Sequence, residues 1–199
     1  SVPDQPEAAS GNTDKPGWAT KKFAVAAANP LATDAGYQIL RAGGSAVDAA
    51  IAVQMVLGLV EPQSSGIGGG AFLMHFDGQK VTAHDGRETA PAAARPDMLL
   101  GEGGKPLPFD EAVLSVHSVG VPGAVRMLEA VHRQHGVLPW AQLFGPAIAL
   151  AEQGFKVSPR LHTLLKSEPH LKKDPVAAAY FYNTQGQPWP VGHVLKNPE

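Results

Sequence analysis

The apolar positions change period several times along the chain, and each change marks an element. Phe23 to Ala28 is a short apolar run that reads as a buried strand, and Asn29-Pro30 after it opens a helix, a side-chain cap followed by a residue with its φ already set. Leu31, Ala35, Ile39 and Leu40 give that helix an apolar face, and Gly43-Gly44 supplies the stop. Ser45 restarts a helix with Asp48 three residues on, a short version of the capping box. Ala46 to Val60 is apolar almost all round, which predicts a buried helix.

Glu61-Pro62 ends the second helix, and the run from Gln63 to Gly70, half of it glycine, must be a loop with close neighbours. Ala71 to His75 and Val81 to His84 read as strands, with Asp77-Gly78 as a hairpin signal between them. Ala92 to Pro108 is mostly connection. Ala124 to Gln134 and Trp140 to Gln153 carry helical periodicity, ending near Gly136 and Gly154, and Leu161 to Leu165 adds a short helix. Asn197-Pro198-Glu199 looks like the opening of another helix. The stretch from Ser1 to Lys22 is polar and without period, an arm in which Trp18 is a candidate anchor. The order of helices, hairpin and helices defines an α/β or α+β piece.

Composition narrows the chemistry. A chain of 199 residues suggests one domain or part of one. A net charge of −2 gives no basic surplus to hold a phosphate backbone. There is no cysteine, which removes disulfides, thiolate metal sites and cysteine nucleophiles together. No apolar run reaches the roughly 18 residues of a membrane-spanning helix. The polar opening at Ser1 leads to the expectation that an upstream segment has been removed, by a signal peptidase or by design.

Several local patterns lead nowhere in particular. Gly66, Gly68 and Ala71 spell a dinucleotide fingerprint, but that motif needs a strand before it and a helix after it, the reverse of the order here. His132 and His135 lie three apart on a predicted helix without an evident third ligand, and read as surface histidines near a helix C-terminus. Ser64 and Ser65 lack the nucleophile-elbow pattern and read as loop-formers. Asp85, Glu88 and Asp97 read as solvated loop charge rather than paired catalytic acids. Arg87 differs from these. It lies just past a strand end, in a glycine-containing turn soon after a glycine-rich loop. It is a candidate for binding an anionic group, with an exposed surface arginine as the alternative.

Four ordered motifs then carry a resemblance. They are Ala26-Ala27-Ala28-Asn29-Pro30-Leu31-Ala32, Gly43-Gly44-Ser45-Ala46-Val47-Asp48-Ala49-Ala50, Val60-Glu61-Pro62-Gln63-Ser64-Ser65-Gly66-Ile67-Gly68-Gly69-Gly70, and Asp85-Gly86-Arg87-Glu88-Thr89-Ala90-Pro91. At this spacing the chain resembles the gamma-glutamyltransferase family, from about Phe23 to its last residue and including the Ser118 to Gly123 turn. Residues 1–22 form the arm, and residues 23–199 resemble the N-terminal part of the family's large subunit.

The resemblance implies an α+β fold of the N-terminal-nucleophile hydrolase type, an αββα four-layer sandwich shared with a small subunit cut from the same precursor. It also implies that the nucleophile is the small subunit's N-terminal threonine, with its own α-amine as base. Thr82 and Thr89 are internal and are not assigned that role, so the chain is expected to hold no catalytic residue, and neither a metal nor a cofactor. Arg87 matches the family arginine that holds the α-carboxylate of the gamma-glutamyl donor. The expected partners are the small subunit, glutathione or another gamma-glutamyl donor, and water or an amino-acid or peptide acceptor, in a periplasmic or secreted setting. A glutaryl acylase of the cephalosporin acylase type and a non-catalytic binding or assembly subunit are the alternatives. The glycine loop is expected to serve packing. The family's large subunit is usually much longer, so apolar surface meant for a partner should be exposed on this chain.

Overall fold

The computed structural model describes residues 16, 17 and 19–198, so Trp18 lies outside the described residues. They form two compact units: one holds the residues up to Gly66 together with those from His135 onward, and the other holds Ile67–Gln134. In the first unit, Phe23 to Ala28 alternates half-buried and exposed side chains as a strand does, yet no ladder partner forms among the described residues. The predicted strand is therefore corrected to an unpaired segment, because a strand is completed only by hydrogen bonds to a neighbour.

Helix α1 (Pro30–Arg41) starts where Asn29 Oδ1 accepts a hydrogen bond from the Leu31 amide, 3.0 Å, and ends before Gly43, whose φ of +90° suits only glycine. Its buried face is Ala32, Ala35, Gly36 and Ile39, while Leu31 is largely outside it. Helix α2 (Ala46–Val60) opens with both halves of the capping box: Ser45 Oγ accepts from the Asp48 amide, and Asp48 Oδ2 accepts from the Ser45 amide. Asp48 is fully buried. The same Oδ2 also accepts from the Val137 and Leu138 amides, 3.0 and 3.1 Å, so one carboxylate starts a helix and secures a distant turn.

The second unit begins with strand β1 (Ala71–Phe76), paired antiparallel with β2 (Val81–Gly86) in the register Ala71↔Gly86 to Phe76↔Val81. The loop is Asp77 to Lys80. Asp77 Oδ1 accepts from the Gln79 and Lys80 amides, and Gly78 takes a φ of +100°. One face of the hairpin, with Phe72, Met74, Phe76 and Val81, is exposed in this chain. After the connection comes α3 (Phe109–Leu114), which the apolar pattern did not announce. It buries no residue and has no side-chain cap. Helix α4 (Ala124–His135) buries Ala124, Met127, Leu128 and Val131.

The chain then returns to the first unit. The long helix expected from Trp140 is divided into a 3-10 turn, Trp140–Phe144, and α5 (Gly145–Gln153), with Pro146 in the first turn of α5. Strand β3 (Phe155–Lys156), α6 (Pro159–Ser167), α7 (Pro175–Phe181) and β4 (Val194–Leu195) follow, β3 and β4 pairing antiparallel. Asn197 and Pro198 are irregular, and Glu199 lies outside the described residues. The core of this unit joins Ala32 and Ala35 of α1, Val56 and Val60 of α2, and Phe155, Val157, Leu161, Leu165, Tyr182 and Leu195. A buried polar knot spans it. Glu61 accepts from Asn29 Nδ2 at 2.8 Å and from Gln63 Nε2 at 2.5 Å, and lies 3.4 Å from Arg160 Nε. It ties the start of α1 to the end of α2 and to α6. No helix among the described residues is long and apolar enough to cross a membrane.

Candidate functional site

Three segments of the second unit converge just past the end of β2. The first is the glycine loop, the second is Arg87 to Pro91, and the third is the turn leading into α4. Asp85 Oδ1 accepts from the Arg87 amide at 2.8 Å, a side-chain turn that swings the backbone away from the hairpin. Thr89 and Val121 then exchange two backbone hydrogen bonds, 2.9 and 3.3 Å. The Gly69 carbonyl accepts from the Gly123 and Ala124 amides, both at 3.1 Å, and so satisfies donors that α4 would otherwise leave open at its N-terminus. A methyl group on Gly123 would stand 2.3 Å from the Gly86 carbonyl oxygen, so this crossing requires glycine.

Beside the second of these segments lies a cleft of about 350 Å³, lined by Arg87, Glu88, Thr89, Ala90, Pro91, Ala94, Met98 and residues His117 to Gly120. Arg87, the arginine singled out from the sequence, lies on its wall with a side chain 70% exposed. Its Nε stands 3.4 Å from Glu88 Oε2, and its terminal nitrogens have no partner among the described residues. The planar fork of a guanidinium can grip a carboxylate through two parallel bonds.

Glu88 corrects an expectation. It does not behave as solvated loop charge: Oε2 is out of reach of solvent and accepts no hydrogen bond among the described residues. A methyl group on Gly70 would lie 2.5 Å from that oxygen and 2.9 Å from both Arg87 Cα and the Glu88 amide nitrogen. One on Gly120 would lie 2.8 Å from Glu88 Cβ. The packing role read for the glycine loop is thus confined to Gly69 and Gly70, since Gly66 and Gly68 have open space beside them. The signal missed was Glu88 itself, a carboxylate next to the candidate arginine, but its seat among glycines distant in sequence is visible only once the chain is folded.

The other candidates fall elsewhere. Asp85 is exposed and engaged in its turn, and Asp97 pairs with Arg95 at 2.9 Å on the surface. Ser65 Oγ accepts from Gln54 Nε2 at 2.7 Å, a loop role, and the fingerprint Gly66, Gly68 and Ala71 follows α2 and enters β1, the order that does not serve a dinucleotide. No group of three or more residues able to hold a metal is found among the described residues.

The α+β scaffold is that of the N-terminal-nucleophile hydrolase fold, and it sets Arg87 and Glu88 side by side on the wall of a cleft. The chain belongs to the gamma-glutamyltranspeptidase family, whose model matches residues 32–199. It is 43% identical over 173 residues to the glutathione hydrolase proenzyme of Bacillus subtilis strain 168, a match covering 86% of this chain and 29% of that protein. Among solved structures, Helicobacter pylori gamma-glutamyltranspeptidase superposes with a TM-score of 0.84 at 32% identity, over 92% of this chain and 52% of that one. The cephalosporin acylase of Bacillus halodurans gives a TM-score of 0.71 at 29% identity, over 94% of this chain and 37% of that chain. The chain therefore spans about half or less of the length of the relatives it matches.

Proposed function

We propose that this chain is the N-terminal part of the large subunit of an enzyme that hydrolyses or transfers the gamma-glutamyl group of glutathione and gamma-glutamyl amides. In this reading Arg87 clamps the donor's α-carboxylate. The observation that carries it is the guanidinium itself, on a cleft wall with its Nε 3.4 Å from Glu88 Oε2 and its terminal nitrogens without a partner among the described residues. The bond-breaking group belongs to the rest of the precursor, as the N-terminal threonine of a small subunit, and the acyl-enzyme is resolved by water or by an amine acceptor. Two features support a second polypeptide layer: the unpaired alternating segment at Phe23–Ala28, and the exposed apolar face of the β1–β2 hairpin.

Arg87→Lys keeps the charge and loses the fork. A charge-assisted pair contributes roughly 1.5 to 3 kcal/mol, and with the side chain this exposed the lower end applies, about a tenfold rise in KM for gamma-glutamyl-p-nitroanilide. Unchanged donor kinetics in that variant would remove Arg87 from the site.

The likeness to cephalosporin acylase favours one second reading, a glutaryl amidohydrolase. A glutaryl group keeps the terminal carboxylate and lacks only the donor's α-amine, so Arg87 has a partner in either ligand and the amine is what separates them. Turnover of a glutaryl anilide in preference to the gamma-glutamyl anilide is the result that selects the acylase.

A further inference from the structure

The chain has four methionines, and the fold treats one of them differently. Met55 and Met127 are 9% and 6% exposed, and the Met127 sulfur lies beside Gly86. Met98 is half-buried on the wall of the cleft. Met74, in the middle of β1, is 74% exposed. Its exposure follows from the ladder. Successive side chains of a strand point to opposite faces, so Met74 shares the open face with Phe72 and Phe76. The residue across from it is Ala83, itself exposed and too short to cover a thioether.

A thioether is apolar, and its reaction with a peroxide needs neither ionisation nor a catalytic group, only access. The sulfur lone pair attacks one peroxide oxygen, and the O–O bond breaks as the S–O bond forms. The other oxygen leaves as water, taking the proton of the oxygen transferred. Sulfur gives up two electrons and hydrogen peroxide takes them, so the step balances with no further reactant. The product is a sulfoxide, a polar acceptor at the centre of an apolar face. Phe72, Phe76 and Val81 around it carry no side-chain donor. Burying the oxide against an apolar surface therefore leaves it without a partner, and the contact that favoured association now opposes it.

We propose that Met74 is an oxidation site, open to hydrogen peroxide while β1 is uncovered, and that its sulfoxide switches off apolar association through this face. The inference stands apart from the reading of Arg87 as a clamp. A layer laid over β1 shields the thioether, so the modification acts on the chain before it is covered.

The test treats this chain of 199 residues with graded hydrogen peroxide, maps the sulfoxides by peptide mass spectrometry, and follows association by analytical ultracentrifugation. Met74 is expected to oxidise first, Met98 later, and Met55 and Met127 only once the chain unfolds. Apparent mass falls as the Met74 sulfoxide accumulates, while the far-ultraviolet circular dichroism stays unchanged. Methionine sulfoxide reductases with dithiothreitol restore it. Met74→Leu keeps the apolar face, so it is expected to associate as the unaltered chain does and to ignore the same doses of peroxide. Met74→Gln sets a polar group there permanently and lowers the apparent mass without peroxide. Oxidation of Met98 ahead of Met74, or together with it, overturns the site. The switch is overturned by an untreated chain that is already monomeric, by association that survives full conversion of Met74, or by an equal response to peroxide in Met74→Leu. Each of these outcomes leaves the clamp reading of Arg87 untouched.

Discussion

Gly70 and Glu88 share a space that admits no additional atom. A methyl group at position 70 meets the carboxylate at 2.5 Å, where a side chain could rotate away, but it also meets Arg87 Cα and the Glu88 amide at 2.9 Å, and backbone cannot. Gly70→Ala should therefore destabilise the second unit by about 1 to 3 kcal/mol, the usual cost of overpacking, and displace Arg87, which under the proposed clamp raises donor KM. Adding Glu88→Ala should recover only part of the loss. Full recovery of the denaturation midpoint in the double variant would show that the carboxylate, and not the backbone, is what the methyl group strikes. At the hairpin tip the chemistry is electrostatic: the Lys80 amide first, then that of Gln79, donate to Asp77 and hold its carboxyl below the ordinary value of 3.8. The folded pKa is the depressed one, so the support Asp77 gives the hairpin is fully present above 3.8 and fades as pH falls through the lower, folded value. Carboxyl titration by NMR should place Asp77 below a model aspartate, and Asp77→Asn should return the hairpin to a pH-independent state over that window.

Helix α2 shows what one residue can do beyond its own element. Ser45→Ala removes a single cap and should cost about 1 kcal/mol. Asp48→Ala should cost at least about twice as much, because it leaves three amides without their acceptor: Ser45 within the capping box, and Val137 and Leu138 from the turn before α5. Equal shifts in melting temperature for the two variants would confine Asp48 to the cap. The cap was legible from Ser45 and Asp48 alone because capping is local, whereas the partners at Val137 and Leu138 are 89 and 90 residues away and leave no mark on the sequence near Asp48. The same division runs through the other elements. The alternation at Phe23–Ala28 was readable, its lack of a ladder was not, since pairing belongs to two segments. Helix α7 did carry a signal, Asp174-Pro175, of the same kind as Asn29-Pro30, and Asp174 Oδ1 accepts from the Ala177 amide at 2.7 Å. Helix α3 carried none, having neither a cap nor a buried face. Arg87 was singled out from its place after a strand and lies on the cleft wall, while the buried seat of Glu88 is made only by glycines that the fold brings beside it.

On the scale of the whole chain, the exposed hairpin face is the feature that the proposed second polypeptide would cover. Phe72, Met74 and Phe76 are 69%, 74% and 63% exposed on alternate positions of β1, with Val81 beside them across the pair. Burying one such side chain contributes about 1.5 to 3 kcal/mol, so three on one face attract a partner or one another. This chain produced by itself should accordingly self-associate. Phe72→Thr, Met74→Thr and Phe76→Thr together should lower its apparent mass in analytical ultracentrifugation, because threonine keeps the strand preference and removes the apolar surface. In the proposed two-chain enzyme the same three changes should weaken assembly with the second chain. A monodisperse, monomeric chain before substitution would mean that the face is content in water and needs no second layer. Loss of association in the isolated chain without loss of assembly in the full-length protein would mean that the covering layer rests elsewhere than on β1.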